Sequence, residues 1–115
     1  MRLNEMTAVV TGGASGMGES MVYALAKEGA SIVVVDRNID GANVVVTNVE
    51  KLGGKAICVK ADVQSTDELD AMANEAMNTF GKINILVNNA GARVIKGFLE
   101  HTKEDWDTML GINLS

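Results

Sequence analysis

Thr11-Gly12-Gly13-Ala14-Ser15-Gly16-Met17-Gly18 is the stretch of sequence that decides the fold. Before it stands a short β-branched run, Thr7 to Val10, and from it starts an apolar stripe, Met17, Met21, Val22, Leu25 and Ala26, at helical spacing. A strand, a glycine turn and a helix in that order present unpaired backbone N–H groups and the positive end of a helix dipole to an anion. Glycine suits such a turn where the chain bends sharply, where backbone touches phosphate and where helix crosses strand. The spacing is Gly-x3-Gly-x-Gly rather than Gly-x-Gly-x-x-Gly, so the turn is predicted to be longer than usual. A plain strand-to-helix turn also collects glycine, and it is the strand-turn-helix context that favours a nucleotide.

Outward from this turn, two kinds of segment alternate. Apolar runs at Ser31 to Val35, Ala56 to Val59 and Ile83 to Val87 join the first as strands suited to burial on both faces of a parallel sheet. Between the third and fourth lies a stripe of Leu69, Met72, Ala73, Ala76, Met77 and Phe80. Trp106, Met109, Leu110 and Asn113 fit one further helix face. Ser65 with Glu68, and Thr102 with Asp105, have capping-box spacing ahead of the last two helices. From Ile39 to Leu52 the valines read as strand by propensity, but Gly53-Gly54 and the alternating pattern favour a helix that ends there. The order β-α-β-α-β-α-β-α predicts an α/β fold, a doubly wound parallel sheet of Rossmann type, with ligands at the carboxyl ends of the strands.

Composition narrows the class. A chain of 115 residues, 47% hydrophobic and 22% charged, suits one globular domain, here spanning 1–115. A single cysteine, Cys58, excludes an internal disulfide framework and a multi-cysteine zinc site, and it reads as an inert core residue. Ten basic against fifteen acidic residues, with no basic stripe, argue against nucleic acid as a partner. No metal site is expected: His101 has no second ligand spaced around it, and the acids from Glu100 to Asp107 read as a solvated helix face. No apolar run approaches a membrane span, and Met1 to Glu5 does not read as a signal peptide, so a soluble cytoplasmic protein is expected. The seven methionines read mostly as core filler.

Chemistry gathers at the strand ends. Asp36 closes the second strand 18 residues after Gly18, near the ~20-residue offset of an acid that binds adenosine ribose hydroxyls. A carboxylate there accepts from the ribose diol and repels a 2′-phosphate, whereas its neighbour Arg37 could accommodate one. Asp62-Val63 follows the third strand and Asn88-Asn89-Ala90-Gly91 the fourth.

With these motifs and Asn113 in Ile112-Asn113-Leu114, the chain resembles a short-chain dehydrogenase/reductase of the classical type over essentially its whole length. The resemblance implies that Gly12, Ser15, Gly16, Met17 and Gly18 lie along the cofactor's pyrophosphate and ribose. It implies that Asp36 holds the ribose with Arg37 beside it, and that Asp62 and Val63 meet the adenine. Asn88 would brace the central strand, and Asn89, Ala90 and Gly91 would line the path to the nicotinamide ribose. Asn113 would be the catalytic asparagine, in a helix kinked so that a backbone carbonyl holds a relay water. Ser15 stands where NADP-preferring relatives carry a basic residue, which with Asp36 implies NAD(H) in preference to NADP(H). A small alcohol or carbonyl substrate and a homodimer or homotetramer are implied as partners.

The family's serine and Tyr-x-x-x-Lys lie beyond Asn113 in its pattern. The string Tyr23…Lys27 occurs here, but in the cofactor-turn helix, where helix packing is the better reading. The expected function is therefore the cofactor-binding half of an NAD(P)-dependent oxidoreductase. The alternatives are a non-catalytic dinucleotide-binding module or fragment and, with the Asn88–Gly91 block against it, an S-adenosylmethionine site. In the family's strand order the fourth strand is central, so an open, apolar edge is expected beside Ile83 to Val87, and with it a longer enzyme or a marginal fragment.

Overall fold

The computed structural model describes residues 3–62, 65–89 and 110–113, with the backbone alone at 66 and 110–113. Eight elements follow in order: β1 (Thr7–Thr11), α1 (Gly16–Lys27), β2 (Ser31–Asp36), α2 (Ile39–Lys51), β3 (Ala56–Lys60), α3 (Thr66–Phe80), β4 (Ile85–Asn88) and β5 (Leu110–Asn113). The strands form one sheet in the order β3-β2-β1-β4-β5, and every pairing is parallel. Neighbours on the β2 side run in the reverse of sequence order and those on the β4 side run forward, so the order switches direction at β1. Crevices that take ligands form at such a switch, above the carboxyl ends of the strands.

Side-chain alternation divides the core between the two faces. Val10, Val34 and Val87 pack on one face against Val22 and Leu25 of α1 and Val45 and Val49 of α2. Val9, Val33 and Leu86 pack on the other against Met72 and Ala76 of α3. Both faces of β1, β2 and β4 are thus dry, as their nearly continuous apolar sequences require. Each fully buried valine contributes ~1.5–3 kcal/mol relative to exposure, so a register slip that moved these residues would be costly. The α2 segment resolves in favour of helix: Val45 and Val49 face the core while Val44 is exposed, and Gly53 takes φ +83° just beyond the end.

Six expectations need correction. Leu110 and Asn113 belong to strand β5, not to a helix face, and the edge of β4 is therefore paired, with Ile85 opposite Leu110 and Asn88 opposite Asn113. The physical reason is the open backbone edge of β4, whose N–H and C=O groups need partners and so outweigh the poor strand propensity of Gly111 and Asn113. The fourth strand starts at Ile85; Ile83 is buried ahead of it, and Asn84 replaces the ladder by donating its N–H to the Thr7 carbonyl and accepting the Thr7 N–H on Oδ1, both at 2.9 Å. β3 is an edge strand of the sheet and only half-buried. Cys58 on it is likewise half-buried, its thiol 3.0 Å from Asn43 Oδ1 and its pKa pushed up by burial. Met17 leaves the α1 stripe: it is 56% exposed at the helix start, because the first turn of α1 overhangs the strand ends rather than the sheet.

Trp106, Met109, His101 and the Thr102–Asp105 cap lie outside the described residues.

Candidate functional site

The glycine turn is built from β1 outward. Gly12 adopts φ +65° and its N–H donates to the Val35 carbonyl at 2.8 Å, carrying the chain across the end of β2. Gly16 adopts φ +61° with no atom within 4 Å of the place a Cβ would occupy. Gly18 is constrained by contact instead: a Cβ there would stand 2.1 Å from the Gly12 carbonyl oxygen. The first turn of α1 is thereby seated on the start of its own loop, and only glycine permits that approach. Ser15, Gly16 and Met17 are exposed above it.

α1 begins without a side-chain cap. Ser15 is its N-cap residue in extended conformation, yet its hydroxyl makes no cap hydrogen bond. By contrast Asn38 Oδ1 accepts the Gly41 N–H at 3.0 Å at the start of α2, and Ser65 Oγ accepts the Glu68 N–H at 3.3 Å at the start of α3. The Ser65–Glu68 box is half-formed: Glu68 Oε1 reaches past the cap to accept the Asp62 N–H at 3.2 Å.

Asp36 sits against the turn. Its Oδ2 accepts the Ala14 N–H at 3.0 Å and its Oδ1 accepts the Asn38 N–H at 2.9 Å. Each oxygen keeps a further lone pair for another donor. Arg37 is exposed, and with Asn38, Lys60, Ala61, Asp62 and Glu68 it lines a groove of about 580 Å³ between the ends of β2 and β3. A larger concavity, about 800 Å³ and lined in part by Lys27, Leu52 and Lys55, lies at the opposite end of the strands, away from the turn.

On the β4 side, Thr11 ties the turn to Asn88 and Asn89. Its Oγ1 lies 3.3 Å from both the Val87 carbonyl and Asn88 Oδ1, one of which takes its proton, and it accepts the Asn89 N–H at 3.0 Å. Asn89 Nδ2 donates to the Gly12 carbonyl at 3.4 Å. Asn88 is wholly buried at the end of β4. Thr11, Asn88 and Asn113 occupy one row of the register across β1, β4 and β5.

Gly12, Ser15, Gly16, Met17, Gly18, Asp36, Arg37, Asp62 and Asn89 therefore share one rim, as their sequence positions predict, while Val63, Ala90 and Gly91 lie outside the described residues. Sequence reasoning missed Ala14, Asn38 and Gly41 as part of this rim; only an Asn three residues before a glycine, at a helix start, could have pointed to them. Tyr23 is remote from the rim. Its hydroxyl donates to Glu19 Oε2 at 2.8 Å and accepts from Asn48 Nδ2 at 2.9 Å, between α1 and α2. Burial pushes its pKa up, and Glu19 adds to the rise against the opposing Asn48 bond, the reverse of what a proton-transferring phenol near neutral pH needs. Among the described residues no cluster of metal-ligating side chains occurs, and no helix is long and apolar enough to cross a membrane.

A parallel sheet that switches order at β1, with a glycine turn opening an uncapped helix there, defines the Rossmann type of α/β protein. Residues 6–115 match the short chain dehydrogenase family, and the chain belongs to it. It is 43% identical over 98 residues to the 7alpha-hydroxysteroid dehydrogenase of Escherichia coli (strain K12), covering 85% of this chain and 38% of that protein. It is 36% identical over 118 residues to the cyclohexanol dehydrogenase of Acinetobacter sp. (strain SE19), covering 99% of this chain and 46% of that protein. A crystal structure of the Escherichia coli hydroxysteroid dehydrogenase superposes with TM-score 0.76 at 44% identity, over 79% of this chain and 39% of that one. A structure of 7alpha-hydroxysteroid dehydrogenase complexed with NADH and 7-oxo glycochenodeoxycholic acid gives TM-score 0.76 at 44% identity, over 79% and 36%. The chain thus spans less than half the length of these relatives, in register with their amino-terminal part.

Proposed function

We propose that these residues form the NAD(H)-binding half of an oxidoreductase that moves a hydride between a nicotinamide cofactor and an alcohol or carbonyl compound. The observation that carries the reading is the glycine turn: its helix start lacks a side-chain cap, the space above Gly16 is open, and the Asp36 carboxylate lies alongside. The residues fit a dinucleotide. Backbone N–H groups of Ser15, Gly16 and Met17 are in the right part of the turn to meet a pyrophosphate, Asp36 keeps lone pairs for a ribose diol, and Asp62 at the neighbouring groove suits an adenine amino group. When bound, the cofactor supplies the hydride or accepts it; the chain binds and orients it.

NAD(H) is favoured over NADP(H). A 2′-phosphate beside Asp36 would meet a fixed negative charge, and Ser15 offers no cation to offset it; Arg37, with Lys60 in the same groove, opposes this preference. Val63, Ala90 and Gly91 are assigned to adenine and nicotinamide-ribose contacts by family pattern. Asn113 is assigned to the catalytic end by the same pattern, and its register beside Asn88 supports that; the kinked-helix carbonyl is not part of the proposal, since β5 is extended. A second reading, a dinucleotide-binding module without turnover by these residues alone, rests on Tyr23, whose hydroxyl is committed to Glu19 and Asn48. A cytoplasmic homo-oligomer is the expected setting of the whole enzyme.

Fluorescence titration with NADH and NADPH tests the cofactor assignment. NADH is expected to bind tighter; tighter NADPH would transfer the specificity role to Arg37. No binding of either by a chain that circular dichroism shows to be folded would remove the assignment. With ketones and aldehydes no turnover is expected, and turnover that survives Tyr23→Phe would refute the second reading.

A further inference from the structure

The Asp36 carboxylate is the middle of a circuit of three hydrogen bonds that runs from the glycine turn to the start of α2. Oδ2 takes the Ala14 N–H of the glycine turn and Oδ1 takes the Asn38 N–H at the start of α2. The Asn38 side chain then accepts the Gly41 N–H at 3.0 Å. Gly41 leaves room for both neighbours, since a Cβ placed on it would lie 3.3 Å from Ala14 Cβ and 2.6 Å from Asn38 Nδ2. From this geometry we propose that Asn38 and Gly41 are positioning residues for the glycine turn, holding it in its anion-binding shape through Asp36 and Ala14. The proposal rests on the reading of that turn as the dinucleotide cradle.

Neither residue is assigned a cofactor contact, so an effect on affinity must travel through the circuit. Gly41 has no positive φ, and alanine is the better helix former there, so Gly41→Ala is tolerated by the backbone. The new methyl group nevertheless displaces either the Asn38 amide, which loses its cap bond, or Ala14, which shifts the turn. Net charge is unchanged, which separates this variant from any change at Asp36 itself. Asn38→Ala opens the circuit at a second point, and Asn38→Ser restores a cap acceptor.

The test measures two things on the parent chain and these three variants: NADH affinity by fluorescence titration, and hydrogen exchange of the Ala14 amide by NMR. In the parent, NADH is expected to bind and the Ala14 amide to exchange slowly. Gly41→Ala and Asn38→Ala should weaken NADH about fivefold, the scale of the one neutral cap hydrogen bond they remove. Both should speed Ala14 exchange by a similar factor, with circular dichroism unchanged and Asn38→Ser close to the parent. A merely structural role would change melting temperature and leave the affinity of the folded protein alone. Affinities within twofold of the parent, or unchanged Ala14 exchange, overturn the proposal. If the parent itself does not bind NADH, the cradle reading fails and the positioning role fails with it, while slow Ala14 exchange that both variants accelerate would show that the circuit exists without that purpose.

Discussion

The helix that follows the glycine turn starts without a side-chain cap, whereas the two helices that follow β2 and β3 are capped by Asn38 and Ser65. All three leave strands of one sheet and all three begin at its carboxyl edge, so fold alone does not require the difference. Caps stabilise a helix because its first N–H groups have no intrahelical partner. At α2 and α3 the protein supplies those acceptors from its own side chains. At α1 it places a serine at the cap position, turns its hydroxyl away from that duty, and leaves space above Gly16. The helix adjoining the order switch is the one of the three whose start has no side-chain acceptor of its own.

The largest effect should come from filling the seat of α1. Gly18→Ala puts a methyl group 2.1 Å from the Gly12 carbonyl oxygen, which no side-chain rotation relieves. An overpacking cost of about 2–3 kcal/mol is expected in urea unfolding, together with loss of NADH binding. Full affinity in this variant would mean that the close approach of helix to loop has no part in forming the cradle.

Removing a working cap comes next. Ser65→Ala should cost about 1 kcal/mol in the same unfolding measurement. NADH affinity should hold within about twofold, because Ser65 caps a different helix. An equal loss of affinity would make the cap of α3 part of the site and blur its contrast with α1.

Much of this was legible in the sequence, for identifiable reasons. β1, β2 and β4 are buried on both faces, so their valines had few other roles to play. The Gly12–Gly18 spacing could be read because each glycine answers a local demand, positive φ at Gly12 and Gly16 and contact at Gly18. Leu110 and Asn113 could not be placed, since a four-residue run fits helix spacing and strand alternation alike, and a distant edge, that of β4, decides between them. Met17 misled because periodicity gives the face of a helix but not where the sheet beneath it ends. The sharing of Asp36 between Ala14 and Asn38 depends on how two loops meet, which no spacing along one chain encodes.

A smaller effect depends on pH and concerns the packing of α1 on α2 rather than its start. Tyr23 has its pKa raised above the ordinary 10.0, chiefly by burial. The folded chain therefore holds the phenolic proton when the unfolded chain has begun to release it. The unfolded state binds fewer protons in that range, so stability falls as pH rises through and above 10. Below the unfolded value the contribution is fully present. Tyr23→Phe should flatten this alkaline decline while leaving NADH affinity at pH 7 unchanged. A slope identical to the parent's would assign the decline to other groups.

The smallest change in stability should come from the residue at the centre of the comparison. Ser15 occupies the cap position of α1, so general helix energetics would assign Ser15→Ala about the same 1 kcal/mol as Ser65→Ala. Its hydroxyl makes no cap hydrogen bond and its side chain is exposed, so the unfolding free energy should instead move by less than about 0.5 kcal/mol. NADH affinity should nevertheless fall several-fold, since the same hydroxyl is free to donate to a phosphate oxygen. The pair of serines then separates cleanly, one stabilising without binding and the other binding without stabilising. If Ser15→Ala costs as much stability as Ser65→Ala, α1 is capped in solution like its neighbours, and its start is not reserved for a ligand.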